Sequence, residues 1–306
     1  MNIREWTLPV FTILMQIAVG AHILLWGIRA RAGVRFSHDE MEKLVRNPIL
    51  VVWFTSLVAM IGAHLHLSRP AHSIFAILNF KSSWLSREIV FTFLFFLTTL
   101  LVWYLSRYYT NRPRLVAGVG WLGVFWGLLL VYCMARIYLI PTQTAWNSVT
   151  VIISFYVTTL LLGCMTLMCL MILDMKFTEI KKMDITLQMQ FIRYSFAGLV
   201  SMMLLAVVMN LTVILVQIMM LGQGDITART SLNLLIQLYL PLLLIRLFLL
   251  ITASLQLAFS MSQLYKDKIT PQNMLVPVYI SSLMIFVAEI VGRFLFYATH
   301  IRTGLF

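Results

Sequence analysis

The sequence predicts an all-α integral membrane protein with eight transmembrane helices, and three observations lead to this fold class. Hydrophobic residues make up 61% of the 306 positions and charged residues only 11%, a balance that excludes a soluble domain of this length. The mean hydropathy is +0.91. Eight segments approach or exceed the length of about 20 apolar residues that crosses a bilayer. They lie at about 8–28, 49–67, 89–105, 115–137, 149–173, 194–221, 232–261 and 274–298. These segments leave no room for an extramembrane domain, so we expect residues 1–306 to form a single transmembrane domain.

Lys and Arg residues are distributed unevenly between the two sides of this predicted bundle. The connections after the first, third, fifth and seventh segments carry fourteen of them, and the opposite side carries six. Because cytoplasmic loops are enriched in Lys and Arg, we expect both termini on the outer side, which is periplasmic in a Gram-negative bacterium. The net charge of +12 then reflects topology, and nucleic acid has nowhere to bind. A multi-pass protein of the bacterial cytoplasmic (inner) membrane is the expected localisation.

The first two segments carry polar residues at defined depths. The first apolar run, about 21 residues long, has no small-x-small cleavage motif after it, so we interpret it as a retained helix and not a signal peptide. Gln16 lies in its outer half and His22 in its inner half. The second segment ends near His64 and His66, which are about 200° apart around a helix, so at most one of them faces the bundle.

The connection between the second and third segments is the densest polar stretch of the chain. From His64 to Glu88 it mixes His, Arg, Lys and Glu with aromatic residues such as Trp84. An ordinary polar loop is one interpretation, and part of a binding site is the other. Ser86 is placed to cap a third helix whose first turn begins near Glu88. Glu88 is therefore either a cap-region carboxylate stabilised by the helix dipole or a site residue.

The fourth, fifth and sixth segments combine packing signals with isolated polar groups. The spacing of Gly123 and Gly127 suits close approach of a neighbouring helix. Arg136 places a guanidinium group one turn inside the predicted outer boundary. Asn210 and Gln217 stand alone in the sixth segment, where such groups more often form interhelical hydrogen bonds than contact a ligand.

The last two segments contain three charged residues within the predicted membrane. Arg246 is near the middle of the seventh segment and needs an anion, a carbonyl oxygen or water, because a lone buried Arg costs at least about 2.5 kcal/mol. Glu289 and Arg293 are four residues apart in the eighth segment and share a face. They form either a self-contained ion pair or, with Tyr297, part of a pocket that faces the other helices.

Polar groups on five segments are expected at similar depth, in the outer third or half of the membrane. They are Gln16, His66, Glu88, Arg136, Glu289 and Arg293. This concentration predicts one polar pocket near the outer interface, lined by Trp84, Phe296 and Tyr297 and open to lipid. A quinone fits it, since the flat head needs aromatic contacts, its oxygens need hydrogen-bond partners, and its redox chemistry needs proton-exchanging groups such as His and Glu.

Metal centres are not expected in this chain. Cys133, Cys164 and Cys169 lie inside apolar segments without Cys-x-x-Cys spacing, which disfavours disulfides and iron–sulfur clusters. A haem b would need a second axial His opposite His22 at similar depth, and the sequence offers no convincing candidate.

Four stretches resemble the membrane anchor subunit of dimethyl sulfoxide reductase and its relatives. They are Leu-His-Leu-Ser-Arg-Pro at 65–70, Ser-Trp-Leu-Ser-Arg-Glu-Ile at 83–89, Ala-Arg-Ile-Tyr at 135–138, and Ala-Glu-Ile-Val-Gly-Arg at 288–293 with the aromatic pair at 296–297. The first helix also matches, whereas helices five to seven carry no recognisable motif. Helix count and motif order agree over nearly the full length. Ser68 stands where relatives often have Gly, a departure that leaves His66 in place.

This resemblance implies an eight-helix anchor, with both termini outside, that oxidises menaquinol. Electrons would pass to a four-cluster iron–sulfur subunit and then to a molybdopterin catalytic subunit on the outer face. The resemblance assigns catalytic roles in the quinol site to His66 and Glu88. Menaquinol or menaquinone is then the bound substrate. The other candidate residues for binding it are Arg136, Glu289, Arg293, His64, Gln16, Trp84 and Tyr297.

Other functions stay open at this point. A polysulfide-reductase-type quinone-reactive subunit, working in the quinone-reducing direction, would use the same chemistry. A proton-coupled transporter would also bury Glu, Arg and His, but it should show a polar path through both leaflets and broken or repeated half-helices, and the sequence has neither. A purely structural anchor would not need polar groups from five helices at one depth.

Overall fold

The computed structural model describes residues 3–65 and 77–301, with residues 3–8 and 64–65 described only as helix backbone. Within these residues the protein is all-helical and contains no strand. Eight of its helices are long and apolar enough to cross a membrane. The predicted all-α fold with eight spanning helices is therefore confirmed, while the outer location of the termini stays a prediction.

The helices follow one another with short connections. They are α1 (Ile3–Ala32), α2 (His38–Leu65), α3 (Trp84–Tyr108), α4 (Pro113–Arg136), α5 (Val149–Ile180), α6 (Thr186–Gln223), α7 (Ile226–Gln237), α8 (Leu240–Tyr265) and α9 (Leu275–Ala298). Two 3₁₀ turns, Ile77–Asn79 and Pro271–Met274, lie on the N-terminal side of α3 and α9. All of these α-helices except the short α7 are candidate membrane spans.

The predicted seventh segment, 232–261, is divided in the structure. α7 ends at Gln237 and α8 begins at Leu240, with Pro241 in its first turn. Proline lacks the N–H that a continuous helix would use and is tolerated in the first turn, where that N–H has no partner. The span therefore belongs to α8 alone.

The N-terminus of α3 lies earlier than the sequence predicts. Ser83 has an extended backbone (φ −108°, ψ 125°) and its Oγ accepts a hydrogen bond from the Ser86 N–H at 3.3 Å. Ser83, not Ser86, is the N-cap, so Glu88 lies in the second turn. Because the helix dipole acts mainly within the first turn, the cap-region interpretation of Glu88 is wrong.

Helices α1 and α5 form the centre of the bundle. In each of them 72% of the most apolar stretch is buried, against 33–39% in the other six spanning helices. α1 contacts α2, α4, α5 and α9, while α5 contacts α1, α6 and α9. The remaining helices therefore pack around this central pair.

Two glycines allow α1 and α5 to approach backbone to backbone. A Cβ atom added to Gly20 would lie 2.0 Å from the carbonyl oxygen of Thr159. One added to Gly163 would lie 2.4 Å from the carbonyl carbon of Gly20. The two helices can touch in this way only because both positions lack a side chain.

Helix α4 packs on α1 through the glycines whose spacing predicted such a contact. A Cβ on Gly123 would lie 2.6 Å from Nε2 of His22, and one on Gly127 would lie 2.9 Å from Cγ1 of Val19. Nε2 of His22 also lies 3.0 Å from the Gly120 carbonyl oxygen. The predicted role of the α4 glycines in helix packing is confirmed.

The order of the spanning helices gives the bundle two distinct ends. Because successive spans alternate in direction, the starts of α1, α3, α5 and α8 lie with the ends of α2, α4, α6 and α9. We call this the Glu88 end. The Arg31 end carries the end of α1 and the starts of α2, α4 and α6.

The α1–α5 contact can be tested with two glycine substitutions on one helix. Gly20→Ala should lower the thermal unfolding midpoint of the detergent-purified protein, because overpacking costs about 1–3 kcal/mol. Gly27→Ala is the matched control, since no atom lies within 4 Å of the position its Cβ would take. Ala is favoured over Gly in a helix by about 0.8–1 kcal/mol, so the control should be unchanged or more stable. Equal stability of the two variants would contradict the close contact.

Candidate functional site

Seven of the nine predicted site residues have side chains that the structure describes. They are Gln16, Trp84, Glu88, Arg136, Glu289, Arg293 and Tyr297. His66 and the side chain of His64 lie outside the described residues, so their roles stay predictions. The seven fall at the Glu88 end of the bundle, arranged in two neighbouring groups that meet at Arg293.

The first group surrounds the carboxylate of Glu289, which is only 3% exposed on α9. Its Oε2 accepts a hydrogen bond from Thr158 Oγ1 on α5 at 2.7 Å. Its Oε1 accepts a longer one from Asn210 Nδ2 on α6 at 3.4 Å and lies 3.5 Å from Arg246 Nη2 on α8. Arg246 also donates to Asn210 Oδ1 at 3.2 Å. One buried carboxylate thus connects four helices.

Gln16 and Arg293 link this group to the central helices. Arg293 Nη2 donates to Gln16 Oε1 at 2.7 Å, and Gln16 Nε2 donates to the Phe155 carbonyl oxygen at 2.9 Å. The Arg293 guanidinium carbon lies 4.2 Å from the centre of the Phe155 ring, which is a favourable cation–π distance. The cation is therefore held by an amide and an aromatic face.

The interpretation of Glu289 and Arg293 as a self-contained ion pair within α9 is wrong. Glu289 has its ion-pair partner on α8, in Arg246, and Arg293 donates to α1. Each charge is directed away from its own helix toward a neighbour. The alternative, in which both residues face the other helices, agrees with the structure.

The second group is aromatic and lies where the α4–α5 loop meets the end of α9. The hydroxyls of Tyr138 and Tyr297 are hydrogen-bonded to each other. Trp146 stacks on Phe296 at 5.1 Å and on His300 at 4.3 Å between ring centroids, and its Nε1 donates to the Phe296 carbonyl oxygen at 2.9 Å. These contacts hold the loop against α9.

Glu88 lies in the second turn of α3, at the same end of the bundle as this aromatic group. Its side chain is buried, with 4% exposed, and its charge is near enough to be felt, at long range, at the hydroxyls of Tyr138 and Tyr297. Arg293 interacts with the same two hydroxyls. A carboxylate, two phenols and a guanidinium group therefore lie at one end of the bundle, although they come from distant parts of the sequence.

Trp84 and Arg136 extend the second group toward the boundary of the bundle. The guanidinium carbon of Arg136 lies 5.0 Å from the Trp84 ring centre and that of Arg87 lies 4.1 Å from it. Tyr132 packs edge-on against the same ring at 5.6 Å. Arg136 Nε is buried without a hydrogen-bond partner among the described residues. This N–H is thus available to a ligand oxygen.

A cavity of about 80 Å³ opens beside the first group, between α5, α6, α8 and α9. Its polar wall includes Thr158, Gln217, Arg246, Glu289 and Arg293. A buried water needs at least about 10–15 Å³ of such space, whereas pockets for drug-sized ligands measure about 300–1,000 Å³. In this conformation the cavity suits several water molecules and is too small for a quinone head.

The sequence alone does not identify several residues of these groups as members of a site. Nothing in the sequence distinguishes Thr158, since Thr is common in membrane helices. Asn210 and Arg246 stand out as isolated polar residues in apolar segments, but their shared partner depends on which helices are neighbours. Tyr138 and Trp146 border the predicted site in sequence, and only the fold shows that both contact Tyr297.

Comparisons with known proteins agree with the sequence motifs. A family model described as "DMSO reductase anchor subunit (DmsC)" matches residues 1–299. The YnfH subunit of anaerobic dimethyl sulfoxide reductase from Escherichia coli (strain K12) is 29% identical over 162 residues, covering 52% of this chain and 55% of that protein. The C subunit of anaerobic dimethyl sulfoxide reductase from the same strain is 27% identical over 158 residues, covering 51% of this chain and 53% of that protein.

A third relative comes from Haemophilus influenzae (strain ATCC 51907 / DSM 11121 / KW20 / Rd). It is also the C subunit of an anaerobic dimethyl sulfoxide reductase, 25% identical over 167 residues that cover 53% of this chain and 58% of that protein. The chain spans about half the length of the curated relatives it matches. The family model, in contrast, matches nearly the whole of this chain. Its eight apolar helices make the protein a multi-pass membrane protein. The chain therefore belongs to the family of DMSO reductase anchor subunits.

Proposed function

We propose that this protein oxidises menaquinol at the Glu88 end and passes the electrons to an iron–sulfur subunit. That subunit, with four clusters, would reduce a molybdopterin catalytic subunit, both lying on the outer face of a bacterial inner membrane. The observation that carries the proposal is that the buried carboxylate of Glu88 lies at the same end of the bundle as Arg136, on a neighbouring helix, and that the Arg136 Nε–H is buried without a hydrogen-bond partner among the described residues. Family membership supports the role of the protein as the anchor.

The second group has the chemistry that a quinol head needs. Trp84 and Tyr297 provide aromatic faces, and the free Nε–H of Arg136 can donate to a quinone oxygen. The hydroxyls of Tyr138 and Tyr297, which are hydrogen-bonded to each other, can instead donate hydrogen bonds to a ligand. We place the quinol head among these residues, on the side of Arg293 away from the small cavity.

Oxidation of menaquinol to menaquinone releases two protons and two electrons. We assign one proton to the Glu88 carboxylate and the other to the imidazole of His66, both of which can accept a proton from a quinol hydroxyl and release it to water. The electrons leave to the nearest cluster of the iron–sulfur subunit. A quinone-reducing direction, as in a polysulfide-reductase-type subunit, would use the same groups in reverse.

Glu88→Gln tests the proposed proton acceptor. The amide has nearly the shape of the carboxylate and cannot take up the proton, so quinol-dependent reduction of the partner's clusters should fall about 10²–10⁴-fold. The assay uses the assembled complex in membranes with a naphthoquinol substrate. Thr92→Val is the control, since Thr92 is buried one turn further along α3. Unchanged turnover in Glu88→Gln would remove Glu88 from the mechanism.

Substitutions at Arg246 and Arg293 distinguish the two possible partners of Glu289. Arg246→Leu leaves a buried carboxylate without its ion-pair partner and should destabilise the protein by about 3–5 kcal/mol. Adding Glu289→Gln should restore most of the thermal unfolding midpoint. Arg293→Leu removes a hydrogen bond to a neutral amide. The destabilisation caused by Arg293→Leu and that caused by Glu289→Gln should therefore be nearly additive in the double variant. Stronger coupling of Glu289 with Arg293 than with Arg246 would contradict the structure.

Turnover should build no membrane potential of its own, because the proposed protons and electrons both leave at the Glu88 end. His22, the one histidine deep in α1, stacks on Trp26 at 5.1 Å and is bonded to the Gly120 carbonyl. Its Nδ1 has no partner among the described residues. Proton transfer needs a chain of hydrogen-bonded steps of about 3 Å, whereas the hydrogen bond of His22 to Gly120 ends at a backbone carbonyl. A potential-sensitive dye in sealed vesicles measures this, and a quinol-driven, uncoupler-sensitive signal would contradict it.

A further inference from the structure

A second and larger groove lies at the Arg31 end, far from the site described above. Its volume is about 870 Å³, and it is bordered by the end of α1, the turn that follows, the first half of α6 and the end of α8. Three guanidinium groups line it, those of Arg31, Arg35 and Arg193. Positive charge is therefore concentrated in one concave surface.

Most of this positive charge is not neutralised by the protein. Among the described residues, only Arg193 of the three has a carboxylate within ion-pair distance, Asp267 at 2.7 Å. Two nearby carboxylates are engaged elsewhere, since Glu42 pairs with Arg29 at 2.6 Å and Glu40 accepts hydrogen bonds from Ser37, the residue before α2. Arg31 and Arg35 leave the groove with two uncompensated cations.

The groove is structured around Tyr194, which contacts the segments that carry both of these cations. Its hydroxyl donates to the backbone carbonyl of Arg31 at 3.0 Å, and the Arg35 guanidinium carbon lies 5.5 Å from its ring centre. Next to it, the Oγ of Ser195 is buried and has no hydrogen-bond partner among the described residues. An unsatisfied donor therefore lies in the wall of a cationic groove.

We propose that this groove binds the phosphate of an anionic phospholipid headgroup. Guanidinium groups bind phosphate oxygens through paired, charge-assisted hydrogen bonds, and the Ser195 hydroxyl can donate to a further oxygen. Tyr265 at the edge of the groove is 67% exposed, and α8, which it ends, carries an exposed strip of Leu255 and Phe259, 63% and 66% exposed, that offers the acyl chains an apolar surface. A free phosphate ion would gain nothing from that surface, so a lipid is the better match.

Lipid binding by the purified full-length protein tests this assignment. Native mass spectrometry would follow titration of the delipidated protein with phosphatidylglycerol or cardiolipin, and with phosphatidylethanolamine as the zwitterionic comparison. Arg31→Gln/Arg35→Gln should weaken binding of the anionic lipids about 30-fold, given the usual contribution of each basic residue near a membrane surface. The single variant Arg35→Gln should lose about fivefold.

The control removes the same charge at the same end of the bundle but outside the groove. Arg112→Gln/Arg114→Gln should bind anionic lipid like the unchanged protein. Lipid-free thermal unfolding midpoints of all variants should match, which separates lost binding from lost folding. An equal loss in both double variants, equal affinity for phosphatidylethanolamine, or displacement of the lipid by millimolar inorganic phosphate would each overturn the proposal.

Discussion

The close crossing of α1 and α5 is the contact on which the rest of the structure depends. In a membrane, the lipid tails are as apolar as the helices, so association relies on close packing and on hydrogen bonds between helices. Gly20 and Gly163 allow the two backbones to touch. That approach brings Gln16 within reach of the Phe155 carbonyl and of Arg293. The polar site thus rests on two residues with no side chains.

The polar groups outside this crossing satisfy one another in a definite pattern. A charged side chain in the membrane interior is costly unless it is paired, and Glu289 meets this requirement with groups from α5, α6 and α8. Arg293 meets it with an amide and an aromatic ring. Glu88 is buried without being part of the Glu289 group. The proposed proton acceptor is thus separate from the charges that pair across the helices.

Features that are determined within a single helix can be predicted from the sequence. Span length, the glycine spacing of α4 and the common depth of Gln16 and Arg293 are of this kind. Features that depend on two helices are not, because neighbour relations follow from the whole bundle. The partnership of Arg246 with Glu289 and the break before Pro241 belong to this second class. The start of α3 was predicted at the wrong residue for a local reason: Ser83 and Ser86 are both good N-cap residues, and the sequence does not show which of them caps the helix.

The position of α9 in the order of synthesis has a consequence for assembly in the cell. It is the last of the described helices, and it supplies the partners of Arg246 and Gln16 and the hydroxyl that bonds Tyr138. Before α9 has been synthesised, Arg246 can be bonded, among the described residues, only to Asn210, and Gln16 only to the Phe155 carbonyl. A product that ends before α9 therefore lacks the carboxylate that pairs with Arg246 and the guanidinium group that donates to Gln16, and its polar groups within the membrane stay only partly satisfied.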